Sequence, residues 1–244
     1  MQAALPLKPF PVVDLLERGL AALPLGWLLA TPCPLCRQLP PLAEANGAGF
    51  CRACDQRLGL PAGGLRGQAP LSWWSSGSYG GGLRDVLLEL KHRPRLELIS
   101  ALLRPLQPSL EAVAAPRTGP APLLVPIPSW KRRGNPIPPL ICSSLGKHLG
   151  WQRADLLERA HPVLGQHHLD RRLRLANQQG AFRCQPPDAQ RRRRPVLIVD
   201  DILTTGATAL NGALCLKAAG WPVLGMVCLA RTPSNPGPKA PRGS

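Results

Sequence analysis

The richest chemistry in this sequence lies in one stretch, Asp200-Asp201-Ile202-Leu203-Thr204-Thr205-Gly206-Ala207-Thr208. A tight turn leading into a helix exposes backbone N–H groups, and the helix dipole adds positive potential, so an anion binds there readily. Thr204, Thr205 and Thr208 add hydroxyl donors, and Gly206 lets the backbone approach an oxygen without a Cβ clash, with Ala207 beside it. The adjacent carboxylates of Asp200 and Asp201 would repel that same anion, so they need a different partner. Ribose hydroxyls suit them, because a carboxylate accepts two hydrogen bonds from a vicinal diol. Donors and acids together describe a ribose 5-phosphate. The blander reading, a strand-to-helix turn whose Asp and Thr are caps, does not explain two acids and three threonines around one glycine.

A second constellation comes from the eight cysteines. Cys33, Cys36, Cys51 and Cys54 follow C-x2-C-x14-C-x2-C, the spacing of two knuckles that present four thiolates to one tetrahedral Zn²⁺. Such a site uses all four ligand positions, so this metal is expected to be structural. Two disulfides are the alternative, and they require an oxidising compartment. Cys142, Cys184, Cys215 and Cys228 are scattered and read as single thiols.

These residues need elements to position them. Val196 to Val199 is an apolar, largely β-branched strand with the acid pair at its carboxyl end, and Ala209 to Ala219 is helical up to Gly220. Trp221 to Leu229 returns as a strand, completing a βαβ unit. Upstream, Ser72 to Tyr79 reads as a strand and Gly80 to Gly82 as a turn. Leu83, Val86, Leu87 and Leu90 then give one apolar helix face. Pro94 stops that helix, and a shorter one spans Leu96 to Leu103. Residues 105–122 read as a surface connection. Leu123 to Pro128 is a short buried strand whose basic continuation, Lys131, Arg132 and Arg133, opens where an open parallel sheet usually places a ligand. A helix over Leu140 to Leu149 ends at Gly150, and residues 158–194 read mostly as loop. The expected class is α/β: a parallel sheet flanked by helices with a small N-terminal four-cysteine ribbon. Its expected divisions are residues 1–62 for an N-terminal helix and the ribbon, 70–231 for the main domain and 232–244 for a tail, with 60–68 as linker.

Other residues carry two readings each. Lys91, His92 and Arg93 could contact phosphate or merely favour a helix end. His167 and His168 read as a solvated pair. Arg191 to Arg194 could meet nucleic acid or be a solvated run before a buried strand. Trp73 and Trp74 could stack on bases or pack internally.

The 244-residue chain carries 30 Lys and Arg against 14 Asp and Glu, a formal charge of +16, which calls for a polyanionic partner. Its hydrophobic fraction is 44% with only 4% aromatics, so the core is aliphatic and wholesale disorder is excluded. Thirty prolines without a Gly-X-Y period exclude collagen and predict long irregular segments. Gly19 to Cys36 has no charged side chain. Pro24 and Pro32 interrupt it, however, so a helix buried against the protein is expected rather than a membrane span. The leader mixes Lys8, Asp14, Glu17 and Arg18, unlike a secretory signal, and the expected location is cytoplasmic.

On these residues a resemblance becomes specific. Val196 to Thr208 resembles the phosphoribosyl pyrophosphate (PRPP) motif of the type I phosphoribosyltransferases, and the wider chain, roughly residues 25–231, resembles the ComF family of competence-associated proteins within that superfamily. The four-cysteine ribbon matches, as do the helix ending at Lys91 and the Val125-Pro126-Ile127-Pro128 strand with its Arg133-Gly134-Asn135 loop. So does the series Gln166, Leu169, Arg174, Asn177 and Ala181-Phe182. The resemblance implies that Asp200 and Asp201 hold ribose hydroxyls and that Thr204, Thr205, Gly206, Ala207 and Thr208 surround the 5-phosphate. Lys131, Arg132 and Arg133 would lie near pyrophosphate, Mg²⁺ would arrive with the ligand, and Arg174 and Asn177 would belong to a hood. Where the family has an aromatic residue between glycine and asparagine, Gly134 here meets Asn135 directly, giving a shorter, stiffer loop. Two functions are implied. One is a phosphoribosyltransferase that displaces pyrophosphate from PRPP. The other is a non-catalytic scaffold, with the zinc ribbon and basic loops contacting single-stranded DNA or a competence DNA helicase.

Overall fold

The computed structural model of the protein describes residues 31–39, 49–114, 119–129, 134–160, 181–188 and 194–233. The chain forms two compact units, residues 1–51 and 52–244. Lys131, Arg132, Arg133, Arg174, Asn177, the histidine pair and Arg191 to Arg193 lie outside the described residues, as do residues 19–30 of the helix expected over Gly19 to Cys36; its described end, residues 31–36, is coil and turn around the first cysteine pair rather than helix.

The second unit is a sheet in the order β1-β2-β9-β7-β3-β4, with β8 also on β9. Its strands are β1 (Leu65–Gly67), β2 (Trp73–Ser78), β3 (Leu123–Pro126) and β4 (Gln152–Arg153), then β7 (Val196–Val199), β8 (Ile202–Leu203) and β9 (Val223–Arg231). Every pairing is parallel except that of β1 with β2. A separate antiparallel pair joins β5 (Leu157–Arg159) to β6 (Phe182–Cys184). The helices are α1 (Arg52–Leu58), α2 (Gly81–His92), α3 (Leu96–Leu103), α4 (Gln107–Ala114), α5 (Ile137–Leu149) and α6 (Ala207–Ala218).

The central strands read as unbroken apolar runs because both of their faces are covered. Alternate residues Leu123, Val125, Val196, Ile198, Met226 and Cys228 join Ala209, Ala213 and Leu216 of α6 in one cluster. The intervening Leu124, Leu197, Val199 and Val227 are equally buried, as a two-residue side-chain period requires. Helix α5 lies on β3 and β7 and packs against α3. Helix α2 buries Leu83, Val86, Leu87 and Leu90, the face that the i, i+3, i+4, i+7 spacing predicts.

Three segments depart from the sequence reading. The linker around residue 65 is a strand, β1, because Leu65, Arg66 and Gly67 find backbone partners in Ser75, Trp74 and Trp73. The connection after residue 105 contains α4, anchored by the fully buried Leu106 and Leu110. Within the expected loop over 158–194, the described ends pair as β5 and β6. In each case long-range pairing or burial supplied what local pattern did not.

Candidate functional site

Strand β7 ends at Val199, and the two acids follow at once. The chain stays registered on β9 through the kink: the Asp200 N–H donates to the Val227 carbonyl at 3.1 Å, and the Leu229 N–H donates to the Asp201 carbonyl at 3.0 Å. Short strand β8 then pairs with Ala230 and Arg231. The acid pair is thus bolted to the middle of the sheet at both ends.

The side chains are held as firmly. Asp200 Oδ1 accepts the Asp201 N–H at 2.9 Å, and Asp201 Oδ1 accepts the Ile202 N–H at 2.8 Å. Lys91 Nζ lies 2.9 Å from Asp201 Oδ2. Desolvation pushes the Asp200 carboxyl well above the usual carboxylate range, and the neighbouring charge of Asp201 pushes the same way, while Lys91 pulls against both. Burial lowers the Arg159 guanidinium, an effect that the charge of Asp200 opposes. Arg159 also donates from Nε to the Pro128 carbonyl at 3.0 Å and stacks 4.5 Å above the Phe182 ring. One cation from outside the turn, Lys91 at the end of α2, thus contacts the acid pair, and a second, Arg159 on β5, lies within electrostatic reach of it.

Past β8, Thr204 is exposed, Thr205 and Thr208 are half-buried, and Gly206 and Ala207 are buried. Gly206 adopts φ 79° at the start of α6, a left-handed conformation that favours glycine. A Cβ at this position would come within 2.5 Å of Pro70 Cγ. Thr205 Oγ1 accepts the Ala207 N–H at 3.4 Å. Hydroxyls, helix N-terminus and acids share the carboxyl edge of one strand, where an open α/β sheet places its ligands.

Several expected contributors have other duties. Arg194 donates from Nη1 to Gln152 Oε1 at 2.6 Å and from Nε to the Ala121 carbonyl at 3.1 Å, tying the strand starts together. Trp73 is half-buried and donates from Nε1 to the Ala69 carbonyl at 3.1 Å, which favours packing over base stacking. Asn135 Oδ1 accepts the Ile137 N–H at 3.1 Å at the start of α5. Arg231 is a residue that sequence reasoning missed. It donates from Nη1 to the carbonyls of Leu203 at 3.1 Å, Thr232 at 2.8 Å and Thr204. No motif marks it, since its role depends on β8 lying beside β9.

The four N-terminal cysteines converge as well. The sulfurs of Cys33, Cys36, Cys51 and Cys54 all lie within 4.8 Å of one another, so they can hold a metal ion. Burial opposes ionisation of Cys33, yet hydrogen bonds from the backbone of Cys51, Cys36 and Leu35 bring its thiol down to about 6. Of the scattered cysteines, Cys142 and Cys228 are buried and each is pushed up to about 12 by desolvation. Among the described residues no helix is long and apolar enough to cross a membrane.

No family model matches the chain. Among solved structures it is similar to the adenine phosphoribosyltransferase of Leishmania donovani, at 12% identity and TM-score 0.28, covering 67% of this chain and 73% of that one. It is also similar to the adenine phosphoribosyl transferase of Trypanosoma brucei, at 13% identity and TM-score 0.32, covering 74% and 94%. Superpositions this loose carry no functional argument. Whole-length relatives are more informative. The DNA utilization protein YhgH of Salmonella typhi is 33% identical over 228 residues, 82% of this chain and 96% of the relative. Its Escherichia coli (strain K12) counterpart is 32% identical over the same shares. At that identity and coverage, the chain belongs to the family of the DNA utilization protein YhgH.

Proposed function

We propose that this chain is a ComF-type protein of the phosphoribosyltransferase-like class that binds PRPP or a related ribose 5-phosphate with Mg²⁺, and that it serves DNA uptake in the cytoplasm. One observation carries the reading: β7 delivers Asp200 and Asp201 directly into the Gly206 turn that opens α6. The acids accept the ribose hydroxyls, and Thr204, Thr205, Gly206, Ala207 and Thr208 surround the 5-phosphate. Lys131, Arg132 and Arg133 are assigned to pyrophosphate, and Arg174 and Asn177 to the hood. Mg²⁺ would be carried in by the ligand rather than caged by the protein, as its preference for keeping water and phosphate oxygens suggests. When bound, that ion would neutralise the pyrophosphate oxygens of the leaving group. The protein's own share is to position the ribose and stabilise charge.

The ribbon cysteines fit zinc. A tetrahedral Zn²⁺ with Zn–S bonds of about 2.3 Å needs sulfurs roughly 3.8 Å apart, and Cys36 and Cys51 present theirs at 3.8 Å. Zinc here would hold the two knuckles together.

Calorimetric titration of PRPP with and without Mg²⁺ tests the site. Mg²⁺-dependent binding that disappears in Asp200→Ala with Asp201→Ala is expected, and unchanged binding in that double variant sinks the assignment. A screen of nucleobases for pyrophosphate release then decides whether the site turns its ligand over. The relatives' name and the +16 charge favour a second reading, in which the same protein is a scaffold for single-stranded DNA or a competence DNA helicase. That reading requires single-strand binding that weakens steeply with salt; no binding at low salt removes its DNA arm.

A further inference from the structure

The ribose 5-phosphate turn is held from below by a residue outside it. Arg231 ends β9, and its Nη1 donates to the carbonyls of Leu203, at 3.1 Å, and of Thr204. The Thr232 carbonyl, 2.8 Å away just past the end of β9, shares the two N–H bonds of Nη1 with them. The guanidinium lies 5.7 Å from the centroid of the Trp73 ring, a cation–π arrangement that favours a planar, always-charged group. Trp73 in turn donates to the Ala69 carbonyl at 3.1 Å, and the next residue, Pro70, lies against Gly206. Strand β9, Trp73 and the 69–70 segment thus form one continuous brace beneath residues 203–206.

Peptide geometry gives this brace a directional effect. In a planar trans peptide the C=O of one residue and the N–H of the next point in opposite directions. With the Leu203 carbonyl held by both Arg231 and the Thr232 N–H, the latter at 2.9 Å, and the Thr204 carbonyl drawn onto Arg231, the N–H groups of Thr204 and Thr205 are aimed the other way, away from the guanidinium. A cation on a carbonyl oxygen also polarises the peptide, making its N–H a stronger donor.

We propose that Arg231 is a positioning residue for the anion site: by holding the Leu203 and Thr204 carbonyls it presents the Thr204 and Thr205 N–H groups to the phosphate of a phosphorylated sugar. This inference rests on the ribose 5-phosphate reading of the turn. Arg231 touches no ligand in this scheme and acts through the backbone of the two residues before Gly206.

The test is calorimetric binding of ribose 5-phosphate, with ¹H–¹⁵N spectra of the full chain during titration with the same compound. In the wild type the Thr204 and Thr205 amides should move as ligand is added. In Arg231→Ala the affinity should fall at least tenfold and those two amide shifts should be lost, while the dispersed remainder of the spectrum reports an intact fold. Arg231→Lys keeps the charge but not the planar fork, so it should recover part of the affinity; it decides the matter alone if the alanine variant fails to fold. Wild-type affinity in a folded Arg231→Ala, or in Arg231→Lys where the alanine variant does not fold, overturns the role of Arg231 and leaves the ribose phosphate site standing. A wild-type protein that binds no ribose 5-phosphate overturns the reading of the site itself, and this inference with it.

Discussion

Lys91 Nζ sits 2.9 Å from Asp201 Oδ2, so the end of α2 supplies the counter-charge for an acid at the end of β7. These residues are 110 positions apart in the chain. The contact fixes the end of an amphipathic helix whose apolar face, Leu83, Val86, Leu87 and Leu90, is already buried. Its dipole and its lysine bring opposite local fields to the strand end, and the lysine dominates at contact distance.

Removing that cation should destabilise the empty protein. Lys91→Met keeps the aliphatic stem and leaves two neighbouring carboxyls with less compensation. The loss should fall below the roughly 3–5 kcal/mol of a fully buried broken pair, since the lysine side chain is 37% exposed. Urea midpoints at neutral pH measure it. A double-mutant cycle with Asp201→Asn should recover most of the loss if the ion pair is the cause.

Asp200 gives stability a pH dependence. Its carboxyl titrates well above its usual value of 3.8 in the folded protein, so between those two values the folded state binds more protons than the unfolded one. Stability contributed by this group is therefore present at low pH and declines as pH rises from about 4 through the raised value. Asp200→Asn should flatten that decline and raise the neutral-pH urea midpoint while removing Mg²⁺-dependent PRPP binding. Parallel pH slopes in variant and wild type would discard the explanation.

Gly206→Ala tests the turn. At φ 79° an L-residue costs roughly 1–2 kcal/mol, and its Cβ would also meet Pro70 Cγ at 2.5 Å. Gly220→Ala is the control: at φ 94° it meets nothing closer than 3.8 Å, so it carries the backbone cost alone. Thermal unfolding should place Gly206→Ala clearly below Gly220→Ala, and equal shifts would mean that Pro70 yields freely.

The cysteine cluster predicts about one zinc per chain by elemental analysis. Chelation or Cys36→Ser with Cys51→Ser should release it, because a four-coordinate site that loses two thiolates holds zinc poorly. Metal-free protein with two disulfides would restore the alternative reading of the four thiols.

Much of the site could be read directly from the chain because local chemistry wrote it there. The apolar run Val196 to Val199, two acids and a glycine among threonines are adjacent in sequence, and their hydrogen bonds to neighbouring N–H groups are local. The cysteine spacing belongs to the same class, since each C-x2-C turn closes on its own residues and the two turns meet. Helix α2 likewise follows from its apolar period. Other elements gave no local signal. Strand β1 is three residues long and exists because β2 offers it a ladder. Helix α4 is defined by what Leu106 and Leu110 bury against, which no local pattern states.

The sequence by itself determined which groups could meet a phosphorylated sugar and which could hold a metal, because the acids, threonines and glycine are contiguous along the backbone and the thiols come in two pairs of characteristic spacing. Only the tertiary structure decided what surrounds them. Lys91 reaches Asp201 because α2 ends beside the end of β7, β5 brings Arg159 within electrostatic reach of Asp200, and Arg231 reaches the turn because β8 lies on β9. Charge acts through space and hydrogen bonds demand direction. The residues that tune and aim the turn are therefore chosen by strand order, and strand order is a property of the folded sheet.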